Sequence, residues 1–167
     1  MSACAEPHNV SLGVTLGLFD NPTSLIYGIG NAGRQDDGLG WAFIDRLEEI
    51  RPGPRARLRR TYQLNLEDAD LISRYTRVLF VDATKDPAVQ SFTLSRPEPK
   101  LDFSFTSHAI SVPSILATSQ QCFEYVPAAY LLAIRGYEWE LQEGLTSPAQ
   151  HNLRHSLEFL STPRDGS

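Results

Sequence analysis

Four consecutive apolar residues, Val78, Leu79, Phe80 and Val81, are followed at once by Asp82, and this run limits the possible folds more than any other feature. A strand apolar on both faces must be covered on both faces, as a central strand of a parallel sheet flanked by helices is. An acidic residue directly after such a run gains nothing from burial. It is expected at the carboxyl end of the strand, on the rim where α/β sheets build their sites.

The rest of the chain supplies partners for that strand. Leu25, Ile26, Tyr27 and Ile29 form a second short apolar run ending in a glycine-rich turn, after which Leu39, Phe43, Leu47 and Ile50 recur at helical spacing. Pro52, Gly53 and Pro54 stop that helix, and residues 56–64 alternate Arg with Leu and Tyr like an outer strand. Residues 67–75 predict a short helix with acidic residues in its first turn, and residues 91–94 a short strand between prolines. Residues 112–123 predict a helix opening at a proline, and residues 129–134 a further strand. The last helix is expected to use Ser147 as N-cap, Pro148 at its first position and Gln150 in a capping box, with Leu153, Leu157 and Leu160 on its apolar face.

Strands alternating with helices, without repeat or low-complexity linker, predict an α/β three-layer sandwich with a mostly parallel, twisted sheet. The 167 residues make about one domain, enough to bury roughly 70% of the surface its unfolded chain exposes. Residues 1–23 lack a sustained period, residues 12–19 being only weakly strand-like, and are expected to form a flexible extension. Residues 24–162 would then be the single domain and residues 163–167 a tail.

Composition excludes several function classes. The net charge is −5, and the clustered basic residues, Arg51, Arg55, Arg57, Arg59 and Arg60, occupy one short stretch of an acidic chain. That pattern suits a solvated strand edge or a patch for an acidic partner, not a nucleic-acid site. No segment approaches the ~18 apolar residues needed to span a bilayer, and the first twenty residues do not resemble a signal peptide. The expectation is a cytoplasmic protein that binds neither nucleic acid nor membrane. Cys4 and Cys122 lie far apart, so no structural disulfide is expected, and Cys122, beside Phe123 in an apolar helical pattern, reads as a buried structural thiol.

Gly28-Ile29-Gly30-Asn31-Ala32-Gly33 has the spacing of a dinucleotide fingerprint and follows a predicted strand. In that fingerprint, however, the helix opens inside the glycine motif so that its amides face a pyrophosphate. Here the helical period starts near Leu39, and Asp36 and Asp37 stand where a phosphate would approach. The glycines are better read as turn residues that lift these two carboxylates to the rim of the sheet. Solvated or helix-capping aspartates remain the plain alternative.

Asp82 would reach the same rim, because parallel strands end on one side. His108 stands before the helix opening near Pro113, at another strand-to-helix junction. Two carboxylates and an imidazole suit zinc, nickel, iron or manganese with positions left open. No Ser or Cys carries a local catalytic signature with a His, and no His-Glu-x-x-His occurs.

Gly28-Ile29-Gly30-Asn31 with Asp36-Asp37-Gly38-Leu39-Gly40, then Phe80-Val81-Asp82-Ala83, then His108 resemble the hydrogenase maturation endopeptidases. The resemblance runs over residues 25–160 and includes Ala128-Ala129-Tyr130, Ile134-Arg135-Gly136-Tyr137-Glu138 and Glu143-Gly144-Leu145-Thr146. It implies a sheet of about five strands, and a protease that removes a short C-terminal extension from the large-subunit precursor of a nickel-iron hydrogenase after nickel insertion. It places nickel contacts on Asp37, Asp82 and His108, and catalytic roles on Asp37, Asp82 and, less directly, Asp36. Gly28, Gly30, Asn31, Gly38 and Gly40 shape the loop. The nickel would be borne by the substrate, with zinc or cadmium able to take its place, and the protein would act as a monomer. Which residue activates water is left open. A dinucleotide-binding module related to oxidoreductases and a non-catalytic nickel chaperone are the alternatives. The chain departs from the family pattern in its longer N-terminus and in Trp41.

Overall fold

In the computed structural model, which describes residues 13–50, 55–101 and 110–162, five strands form one sheet. They are β1 (Ser24–Ile29), β2 (Arg57–Thr61), β3 (Arg77–Thr84), β4 (Phe92–Ser95) and β5 (Ala128–Arg135), in the order β2-β1-β3-β5-β4. β1, β2, β3 and β5 run parallel, and β4 pairs antiparallel with β5 at one edge. The helices are α1 (Leu39–Ile50), α2 (Glu67–Ile72), α3 (Val112–Phe123) and α4 (Ser147–Ser161).

Strand alternation sorts the core into two layers. Leu79 and Val81 of β3 join Ile26, Phe43, Leu47, Leu132, Leu153, Leu157 and Leu160 beneath α1 and α4. Val78 and Phe80 join Leu25, Tyr27, Ile72, Ile115 and Leu116 beneath α2 and α3. All four residues of the apolar run are fully buried, because helices cover both faces. On the α2 side the Tyr27 hydroxyl donates to the buried Asp68 carboxylate, which also accepts from Asn65 N–H at 2.8 Å.

Several expectations change. The fold starts upstream of residue 24: Leu16–Phe19 form a 3₁₀ turn, not a strand, and Val14 and Phe19 lie in the core. The Phe19 ring meets Tyr130 edge-on at 5.6 Å. The helix predicted over 67–75 stops at Ile72. The N-cap of α4 is Thr146, whose Oγ1 accepts from Ala149 N–H at 3.3 Å, and Gln150 donates to the Leu145 carbonyl instead of closing a capping box. Cys122 is exposed, because the last turn of α3 projects past the helix face that Ile115, Leu116 and Ser119 press inward. Arg57 and Arg59 are exposed on the edge strand β2, and Arg60 pairs with Asp45 and Glu48 of α1. Arg51 lies outside the described residues. No helix among the described residues is long and apolar enough to cross a membrane.

Candidate active site

From β1 the chain passes to β2 on one side and then, through α2, crosses to β3 on the other, so the sheet's switch point lies between β1 and β3, where α/β folds open a crevice at their carboxyl ends. Glycines let α1 close on that crevice. A Cβ on Gly40 would collide with the Ile29 carbonyl and lie 2.5 Å from that of Val81, and a Cβ on Gly28 would lie 2.5 Å from the Gly40 carbonyl. Gly30 has φ +140°, and its missing side-chain position is occupied by the Asp37 carbonyl. The loop is thus filled from within by its own backbone, which leaves a pyrophosphate no close approach to Gly30.

Asn31 locks the turn. Its N–H donates to Asp37 at both the carbonyl (3.1 Å) and Oδ2 (3.0 Å), and its Oδ1 accepts from Gly33 N–H at 2.8 Å. A 3₁₀ turn over Gln35–Gly38 then leads into α1. Asp37 emerges half-buried on the rim, and Asp82 stands half-buried near the carboxyl end of β3, paired with Ala133 of β5. Asp82 Oδ1 accepts from its neighbour Ala83 N–H at 2.8 Å.

Burial pushes the Asp82 carboxyl up to about 7; the Ala83 amide draws it down, and the negative charge of Asp37 adds to the rise. Burial also raises Asp37, opposed by the Asn31 amide and by the positive charges of Lys85 and Arg34. Once one of the two carboxyls is ionised, its charge opposes the ionisation of the other. Near neutral pH the pair can hold one proton, the arrangement that lets two carboxylates divide acid and base roles. The same electrostatics favour a cation, which would relieve both the desolvation and the repulsion.

Asp36 differs from its neighbour. It is fully buried, and Oδ2 accepts from Tyr137 N–H (2.7 Å), Glu138 N–H (3.1 Å) and Thr146 Oγ1 (2.8 Å), while Oδ1 accepts from Thr146 N–H (2.8 Å). Its lone pairs are committed to fastening the segment between β5 and α4 against the glycine turn. In the structure Asp36, for which a catalytic role was expected, acts as an anchor. A Cβ on Gly136 would lie 2.7 Å from Asp36 Cβ, so that contact also requires a glycine.

No protein-family model matches the sequence, and no curated protein matches it significantly. Solved structures do match. The NiFe hydrogenase maturation protease HycI from Thermococcus kodakarensis KOD1 superposes with a TM-score of 0.66 at 19% identity, over 87% of this chain and 94% of that one. The hydrogenase maturating endopeptidase HybD from E. coli gives 0.66 at 19% identity, over 82% and 88%. The endopeptidase HycI from Escherichia coli gives 0.62 at 20% identity, over 83% and 89%. The chain has the fold of the hydrogenase maturation proteases.

Within this maturation-protease fold the structure brings Asp37 and Asp82 together on one rim and places Gly28, Gly30, Asn31, Gly38 and Gly40 in the turn that presents Asp37. Gly38 belongs there because a Cβ on it would lie 2.9 Å from Ala32 Cα. His108 lies outside the described residues, among which no three His, Cys, Asp or Glu side chains gather as a metal-ligand set. Lys85 escaped the sequence reading, and Trp41 was singled out only as a departure from the family pattern. Lys85, one residue past β3, acts on Asp37 and stacks over the Trp139 ring at 4.8 Å. Its place three residues after Asp82 was the available signal. Trp41 donates from its indole to the Thr61 carbonyl at 3.0 Å, the same oxygen that accepts from Gly30 N–H at 2.9 Å, and so braces the glycine turn.

Proposed function

We propose that this chain is an endopeptidase that removes the C-terminal extension of a nickel-iron hydrogenase large-subunit precursor. In this reading Asp37, Asp82 and His108 recognise nickel carried by the precursor. The observation behind it is the carboxylate pair at the switch point, with Asp82 raised to about 7 beside Asp37, on a maturation-protease fold. A dication there would find oxygen donors already brought together and desolvated, and zinc or cadmium would suit the same donors. Such an ion polarises a peptide carbonyl or makes bound water more acidic. The chain itself contributes two carboxylates, Asp37 fixed by Asn31 and Asp82 on β3, and Asp82 releases its proton when the ion is taken. The protein acts as a cytoplasmic monomer on one chain end of its substrate.

The test is to incubate the protein with nickel-loaded and nickel-free precursor from the same organism and weigh the products. Loss of a short C-terminal peptide from the loaded form alone, abolished by Asp82→Asn, is the expected result. An intact precursor in both incubations would overturn the protease reading, and tight nickel retention by this protein without substrate would turn it toward a metal chaperone.

A further inference from the structure

We propose that His151 and His155 on α4 form a second metal site, a two-nitrogen chelate for a divalent transition-metal ion beside the β4 edge of the sheet. Four residues apart, they project from the same face of the helix one turn apart. Both are exposed, and their ring centroids are 6.3 Å apart with planes inclined by 37°. A side-chain rotation of His151, whose ring takes no hydrogen bond among the described residues, brings the two nitrogens to a common ion.

His155 is the fixed member. Its Nδ1 lies 2.9 Å from Ser91 Oγ, and its ring packs edge-on against Phe92 at 5.2 Å. Ser91 is itself held, because its carbonyl accepts from Arg135 N–H at 2.8 Å. A metal-binding imidazole typically donates its other ring N–H to a fixed oxygen, which sets both tautomer and orientation. With Nδ1–H donating to Ser91 Oγ, the Nε2 lone pair of His155 is available to an ion. Imidazole nitrogens suit zinc, copper and nickel. Arg154 and Glu158, of opposite charge, line the same cleft of about 490 Å³, so neither sign of charge dominates around the pair. Among the described residues no third ligand completes a set, which leaves positions for water and makes the ion exchangeable. The pair lies beside β4, two strands across the sheet from Asp82 on β3, and shares no residue with the carboxylate site.

The test is calorimetric titration of the full-length protein with zinc chloride, then nickel chloride, at neutral pH, with circular dichroism to verify folding of each variant. The expected result is a saturable event weakened at least tenfold by His151→Ala or by His155→Ala, and several-fold by Ser91→Ala. Binding unchanged in both histidine variants, or no saturable binding up to millimolar metal, would overturn it. The readout is metal binding alone, so it stands whether or not the chain proves to be a protease.

Discussion

Asp82 closes the buried part of β3 with a carboxyl held at about 7, against about 3.9 in an unfolded chain. Between those values the folded state binds more protons than the unfolded state, so stability falls as pH rises through this window, and the full penalty is present above it. Asp82→Asn removes the penalty. Its expected effect is a gain of roughly 1–3 kcal/mol at pH 8, allowing for solvent screening of a rim group, and little change at pH 4; melting curves at the two pH values check this. The same substitution should abolish processing. Asp36 behaves in the opposite way. Asp36→Ala strands four donors from Tyr137, Glu138 and Thr146 and should cost several kcal/mol, on the order of 1–3 for each buried group left unpaired, read as a lower urea midpoint.

At the scale of elements, the close seat of α1 on β1 and β3 separates the glycines by consequence. Gly28→Ala and Gly40→Ala each force a methyl group into backbone carbonyls and should destabilise by roughly 2 kcal/mol or more, shifting Asp37 with the helix. Gly33→Ala meets only the Asn31 side chain, at 3.2 Å, and should cost less than about 1 kcal/mol. A dinucleotide fingerprint would demand its third glycine for helix–strand packing, so urea unfolding of these three variants also discriminates the two readings of the loop.

For the molecule as a whole, the segment before β1 is part of the structure. Phe19 is fully buried against Tyr130 and the α4 layer, and Phe19→Ala should cost about 3–5 kcal/mol, measurable as a loss of denaturation midpoint at unchanged slope. If this segment were only an appendage, the substitution would leave the midpoint where it was.

Local pattern was enough for the layers and the strand order's parallel character, because a two-sided apolar run such as Val78–Val81 has few stable settings and Asp82 after it must face the rim. It was also enough to pair Asp37 with Asp82, since parallel strands deliver their ends to one edge. Tertiary contact decided the rest. Asp36 and Asp37 are adjacent and identical in type, and only the arrival of Tyr137, Glu138 and Thr146, about a hundred residues away, makes one an anchor and leaves the other at the site. Phe19 and Cys122 likewise exchanged their expected environments, because burial at the ends of a fold depends on which neighbours reach them, and the spacing of residues along the chain does not carry that information.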